Sequence, residues 1–360
     1  MVVPGGVDPS GEYRVIPALL ALIARLARAH DLRVFALRQE KRAARWSLLG
    51  ATIENIGRPL TVARAVMAIR RAHACEPFDL IHCIWGGDSS LAGVHAARSI
   101  RRPALVHLAG GELVALNDIG YGGRLNPARR WLDEWTLRRA DCVTAASRPI
   151  IESAAALGIR ARRVPLGVDL AKWPPLAPRR RTGPARLIHV ASLNRVKDQA
   201  TLIGALRLLA QEGHDFHVDI VGEDLLGGQV QSLVHSADLD GRVTFHGFLT
   251  QPQIRPLMEA AHLNLISSRH EAGPLVLLEA AVVGVPTVGT AVGHLVEWAP
   301  EAAGAVSVGQ PALLAAAIAR VLEDEGLRLS QAQAAARRAL SEDADRTASQ
   351  FTEIYRELVG

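Results

Sequence analysis

Short apolar runs alternate with longer amphipathic stretches along the chain. Val2-Val3, Arg33-Val34-Phe35-Ala36-Leu37, Leu80-Ile81-His82-Cys83, Ala104-Leu105-Val106-His107-Leu108 and Cys142-Val143-Thr144-Ala145 read as buried strands. Between them, apolar residues return at helical spacing over 15–29, 60–74, 89–100 and 127–139. This order predicts a parallel sheet with helices on both faces. The plan repeats from Leu187 to Val306, and further helices are expected over 311–324, 330–340 and 346–358. The stretch Trp173-Pro174-Pro175-Leu176-Ala177-Pro178-Arg179-Arg180-Arg181-Thr182-Gly183-Pro184 is rich in Pro and Arg, polar and short of core residues. It reads as a linker over 171–184. The expected organisation is an α/β chain of two Rossmann-like, doubly wound domains, 1–170 and 185–345. Ligands of such domains bind at strand C-termini, so the cleft between them is the expected active site.

Size and composition fit this picture. A chain of 360 residues is too long for one ordinary core, and 49% hydrophobic with 21% charged residues is usual for an α/β protein. No run is apolar for long enough to span a bilayer, and no signal peptide is evident, so a cytoplasmic location is the default. Cys75, Cys83 and Cys142 have no metal or redox spacing and are expected to be reduced and mostly buried. The net charge of +5 conceals an asymmetry. Residues 1–180 carry 27 Lys/Arg against 15 Asp/Glu, whereas residues 181–360 carry 14 against 21. The first half is therefore suited to an anionic partner. Arg38, Lys41, Arg42 and Arg45 cluster beside Trp46, which fits peripheral contact with an anionic membrane and equally fits a solvated basic surface. Nucleic acid is disfavoured, since no recognition motif or aromatic platform accompanies the charge.

The densest chemistry lies in His270-Glu271-Ala272-Gly273-Pro274-Leu275-Val276-Leu277-Leu278-Glu279-Ala280, where seven residues separate two glutamates. Leu263-Asn264-Leu265-Ile266 before it reads as a strand, Gly273-Pro274 opens a helix, and Gly284 closes it. A helix mouth offers free amides and a positive dipole end to a phosphate. Glu279 falls about 7.5 Å along the axis from Pro274, at about 1.5 Å per residue. One carboxylate can serve the group attached to a diphosphate while the other accepts from a ribose hydroxyl. Spacing alone fits a core helix with two solvated glutamates as well.

This segment, with Ser267 to Glu297 around it, resembles the nucleotide-sugar signature of the family-4 retaining glycosyltransferases, of group 1. Val190-Ala191-Ser192-Leu193-Asn194-Arg195-Val196-Lys197-Asp198, Val243-Thr244-Phe245-His246-Gly247-Phe248, Ala140 to Ser147 and Val164 to Asp169 also resemble segments of that family. The resemblance implies the GT-B arrangement, with the last helix crossing back to the first domain. It implies transfer of a sugar from a nucleotide diphosphate sugar to a sugar, glycan or lipid-linked acceptor, with retention and without a metal or other cofactor. A nucleotide-sugar epimerase and a non-catalytic donor-binding homologue are the alternatives. Chains of the family begin with several strand residues before the first loop, whereas only Met1-Val2-Val3 precede Pro4 here, which leaves a longer true start open.

Residue by residue, the resemblance gives Glu279 to the ribose, Glu271 to the sugar, and Lys197 with the amides of Gly273, Pro274 and Leu275 to the diphosphate. A cation beside the leaving phosphate favours bond breaking. Ser192 stands where the family has an arginine, and Arg195 is a shifted second cation or a surface residue. Gly6 or Gly11 walls the donor site, unless each is a plain turn. Ala109 occupies the family's histidine position before Gly110, so His107 either substitutes for it or packs in its strand. Glu112 is a further acceptor-side candidate, and His270 and His294 are candidate cleft histidines. Glu223 and Asp224 fall near the base or form an ordinary turn. Asp238 with Asp240, and Asp343 with Asp345, read as caps and turns, and no metal site is expected.

Overall fold

The apolar runs of the first half become strands that are largely buried along their length. In the computed structural model, which describes residues 1–360, the chain divides into two units: Met1–Gly167 with Ala344–Gly360, and Val168–Asp343. The first unit runs β1 (Val2–Val3), α1 (Pro17–Ala29), β2 (Arg33–Ala36), β3 (Ala44–Leu48), β4 (Ala51–Asn55), α2 (Thr61–Cys75), β5 (Ile81–Ile84), α3 (Asp88–Ser99), β6 (Ala104–Leu108), α4 (Pro127–Leu137), β7 (Cys142–Ala145), α5 (Arg148–Ala155) and β8 (Arg162–Arg163). Its eight strands are ordered β3-β4-β2-β1-β5-β6-β7-β8.

This sheet is not wholly parallel as expected, because β3 runs antiparallel to β4. Leu49 and Gly50 turn the hairpin, both with positive φ (52° and 84°), which matches the right-handed twist of the strands. The basic cluster is thus partly an edge strand, where charges keep a free edge from pairing with another chain. Trp46 is no membrane anchor: it packs on the core and its Nε1 donates to Val7 O at 3.1 Å.

The second unit runs β9 (Ala185–Val190), α6 (Gln199–Gln211), β10 (Phe216–Val221), α7 (Gln229–Ser236), β11 (Val243–Gly247), α8 (Gln251–Ala260), β12 (Leu263–Ile266), α9 (Leu275–Val282), β13 (Thr287–Thr290), α10 (His294–Trp298), β14 (Gly304–Val306), α11 (Pro311–Glu323) and α12 (Glu325–Ser341). Its six strands are all parallel, in the order β11-β10-β9-β12-β13-β14. The Pro- and Arg-rich segment is not a bare linker. Trp173 is 1% exposed within the core around α9, and Leu176 N donates to Val282 O at 2.8 Å. Arg181 N donates to Glu325 Oε1 at 2.8 Å, strapping the segment to α12. Its composition hides this, since the one aromatic residue sits at the start of a polar run.

The last helix, α13 (Ala344–Val359), belongs to the first unit. It is strongly amphipathic and buries Ala348, Phe351 and Ile354 in the core beside α1, while Arg25 pairs with Asp345 at 2.9 Å. Phe351 lies against the rings of His82 and His107, at centroid distances of 4.6 and 5.3 Å. Phe351→Ala should lower the unfolding free energy of the first unit by about 3–5 kcal/mol through the cavity it leaves. Denaturant titration followed by circular dichroism checks this; a loss below about 1 kcal/mol would mean that α13 contributes little to that core.

Candidate active site

Parallel strand order explains how distant residues meet in the second unit. β12 lies beside β9, so the loops leaving their C-terminal ends are neighbours. Lys197 follows β9 and Glu271 follows β12; although 74 residues apart, Nζ and Oε1 lie 2.5 Å from each other. The two loops are stitched along their length. Arg269 N donates to Val196 O at 2.8 Å, Ser267 Oγ to Lys197 O at 2.7 Å, and Ser268 Oγ to Glu271 Oε1 at 2.6 Å. Asn194 Oδ1 accepts from the amides of Val196 and Lys197, both at 3.1 Å, which curls the first loop back on itself. From β13, Thr290 Oγ1 donates to Ser268 O at 2.6 Å. Sequence reasoning missed Asn194, Ser267, Ser268 and Thr290 as supports, although the serine pair directly after a strand was a visible signal.

The helix after Glu271 starts one residue later than expected. Pro274 is its N-cap and, being a proline, has no N–H to give, so the opening amides are those of Leu275 and Val276. Gly273 is required sterically: a Cβ there would lie 2.6 Å from His294 Nε2. His294 is therefore a fully buried floor beneath Gly273 rather than a surface histidine, with Glu297 Oε2 3.8 Å from its Nδ1. Glu279 is also buried, and its Oε1 accepts from Gln251 Nε2 at 2.6 Å. Burial pushes its carboxyl up to about 7, partly opposed by the Gln251 hydrogen bond. Gln251 starts α8 and carried no sequence signal.

Behind Lys197, buried His189 donates from Nδ1 to Leu265 O at 2.9 Å, leaving Nε2 to accept from Gln199 Nε2 at 3.2 Å. Burial holds this imidazole neutral, with its pKa lowered to about 4. Gln199 Nε2 also lies 3.2 Å from Ser192 O. Ser192 therefore reaches the site region through its backbone. Arg195 is exposed and is not brought to the Lys197–Glu271 pair. Asp224 is a turn former, accepting from the amides of Leu226 and Gly228 at 2.8 Å each. Asp240 pairs with His235 at 3.2 Å and Asp345 with Arg25 of α1, so both acids are engaged.

In the first unit, the residues that the sequence left open have partners of their own. His107 is 0% exposed, bonds Thr144 Oγ1 at 3.0 Å, and is closed under Phe351, with burial lowering its pKa to about 3. It is a core residue, since the helix that returns from the end of the chain covers that face of the sheet. Gly6 N donates to Gln39 Oε1 at 2.7 Å, and a Cβ on Gly6 would meet Ile16 Cδ1 at 2.6 Å. Its amide is thus already used. Gly11 has φ of 69° and donates to Asp8 O at 3.0 Å, as a turn does. Glu112 is a loop clamp: Oε1 accepts from Gly86 N at 3.0 Å and Oε2 from Gly110 N at 2.8 Å.

Residues 177–338 match the family described as glycosyl transferases group 1, and residues 15–167 match a glycosyl transferase 4-like domain. D-inositol 3-phosphate glycosyltransferase of Salinispora arenicola is 30% identical over 86% of this chain and 76% of its own length. The chain is a group 1 glycosyltransferase. Glycogen synthase of Mycobacterium tuberculosis is 30% identical over 65% of the chain and 58% of its own length. The GT-B fold follows from sucrose-phosphate synthase of Thermosynechococcus elongatus, with a TM-score of 0.82 at 20% identity, covering 99% of this chain and 98% of that one. Anabaena HepE, solved with UDP and glucose, gives 0.75 at 19% identity, with 99% of both chains covered. This glycosyltransferase is thus an enzyme that transfers glycosyl groups from a nucleotide sugar, and the epimerase reading is not favoured.

The raised pKa of Glu279 has a measurable consequence. Its proton is bound more tightly folded than unfolded, so its stabilising effect is complete below about 4.5 and is lost as pH rises through about 7. Glu279→Gln should flatten that part of the pH dependence, seen as a melting temperature that falls less than wild type between pH 5 and about pH 8. Parallel curves for the two proteins would show that Glu279 ionises normally.

Proposed function

We propose that this glycosyltransferase acts with retention and that the second unit holds its donor through the Lys197–Glu271 pair at the mouth of α9. The observation that carries the reading is this ion pair, with Oε1 of Glu271 at 2.5 Å from Nζ and also bonded to Ser268. In the free enzyme the carboxylate neutralises the lysine. When a donor binds, the diphosphate takes Lys197 together with the amides of Leu275 and Val276, and Glu271 accepts from a hydroxyl of the sugar. Glu279, ionised on binding, accepts from a ribose hydroxyl. Relatives of the fold solved with UDP and with UDP-glucose make UDP-sugars the first donors to test.

In the reaction, the bond from the anomeric carbon to the phosphate oxygen breaks, and its electron pair stays on that oxygen. Lys197 stabilises the charge as it grows. The acceptor hydroxyl forms the new bond on the same face of the sugar, and its proton passes to the departing phosphate oxygen. The basic first half favours an acceptor that carries phosphate or a lipid.

Peripheral membrane contact is supported by a residue that sequence reasoning passed over. No helix is long and apolar enough to cross a membrane. On α4, however, Trp131 is 66% exposed and stacks on Trp135, with Arg139 4.1 Å from the Trp135 ring centre. An exposed tryptophan among arginines suits a lipid headgroup layer. Trp131→Ala should reduce co-sedimentation with anionic vesicles about tenfold, and equal binding of wild type to neutral vesicles would remove this reading.

Lys197→Ala should lower kcat by about two to three orders of magnitude while weakening donor binding less. Steady-state kinetics and calorimetry with the same UDP-sugar separate the two effects. A change confined to KM would mean that Lys197 binds ground state and transition state alike.

A further inference from the structure

Three buried histidines leave ring nitrogens without a hydrogen bond: His82 and His107 leave one each, whereas His294 leaves both. His294 is 0% exposed, so its imidazole has given up water and gained no partner in return. That is a cost which a native structure rarely bears without a function attached.

The ring is built into its place. His294 opens α10 directly after Gly293, where φ is 49°. A Cβ on Gly293 would lie 3.0 Å from Pro274 Cδ and 3.1 Å from Glu271 O. A Cβ on Gly273 would lie 2.6 Å from His294 Nε2. Two glycines thus hold the imidazole against the backbone that runs from Glu271 into α9. This is the helix mouth that the donor reading gives to the diphosphate.

Few charges surround it. Glu297 of the same helix has a side chain 8% exposed, with Oε2 3.8 Å from Nδ1. That gap is wider than a hydrogen bond, yet near enough for the carboxylate to favour a positive ring. From α12, Arg338 Nη1 donates to Glu297 O at 2.5 Å, and its Nη2 lies 4.0 Å from Glu301. The loop after β12 brings His270 and Glu271, and Glu271 is paired with Lys197. That pair is neutral as a unit, and Arg195 does not join it. A diphosphate at the mouth therefore carries more negative charge than Lys197 alone can balance.

We propose that His294 is the second cation of the donor site, taking up a proton from solvent as the diphosphate binds. The protonated ring gains what the other form lacks: Nδ1–H faces Glu297 Oε2, and Nε2–H faces the mouth backbone and the anion beyond it. Imidazole is the side chain that changes charge near neutral pH, so the proton can come and go with the donor. The same charge steadies the diphosphate as it departs. This inference rests on the donor reading above.

UDP, GDP and ADP are titrated into the full chain by calorimetry, and the tightest binder is taken forward with its nucleoside. Titration at about pH 8 in buffers of low and high ionisation enthalpy counts the protons exchanged. Glu279, at about 7, has by then largely lost its own proton and does not obscure the count. Wild type should take up about half a proton or more per diphosphate bound, and the nucleoside alone should take up none. His294→Gln should bind the diphosphate about tenfold more weakly and without uptake. Glu297→Gln should reduce the uptake. Nitrogen NMR spectra of histidine-labelled wild type need no variant: one ring should become an imidazolium when the diphosphate is added. No uptake by wild type, equal uptake by His294→Gln, or spectra in which no ring changes charge would overturn the inference. If a diphosphate binds without uptake, only this inference fails. If none of the three binds, the donor reading falls and takes this inference with it.

Discussion

The Lys197–Glu271 pair depends on one topological constraint: in the second unit, β12 pairs with β9 although a long stretch of chain separates them. A parallel sheet sends every loop after a strand to the same edge, so neighbouring strands deliver neighbouring loops. Lys197 and Glu271 meet for that reason, and no local preference of either loop would bring them together. The stitches from Ser267, Ser268 and Thr290 then fix what the strand order permits. A slip of one residue between these strands would turn every side chain to the other face and dismantle the pair.

Charge in the site is handled by compensation and burial together. Lys197 and Glu271 neutralise each other in a partly desolvated place. Glu279 has no such cation, so burial pushes its carboxyl up to about 7, and the hydrogen bond from the Gln251 amide only partly opposes this. His189 behind them stays uncharged and presents a fixed tautomer to Gln199.

The first unit shows the same economy in its loops. Gln39, Asn55 and Glu112 are polar side chains whose partners are largely backbone amides and carbonyls of neighbouring loops. Each turns an irregular segment into a fixed one and leaves the arginines and lysines nearby available to solvent or ligand. Asp88 does this with charge, joining the loop of Arg38 to α4 through Arg129.

The sequence by itself determined the alternation of strands and helices, the two doubly wound units and the place of the paired glutamates, because these depend on periodicity and on neighbours close along the chain. It could not show the β3–β4 hairpin, whose polar edge strand lacks an apolar signature, nor that Trp173 anchors a segment of linker composition. Nor could it separate His107 from a catalytic histidine: the decision came from α13, more than two hundred residues later, which covers that face of the sheet. Gln251 against Glu279 was equally beyond its reach. Such contacts are set by which elements the sheet order places side by side, and that is a property of the tertiary structure alone.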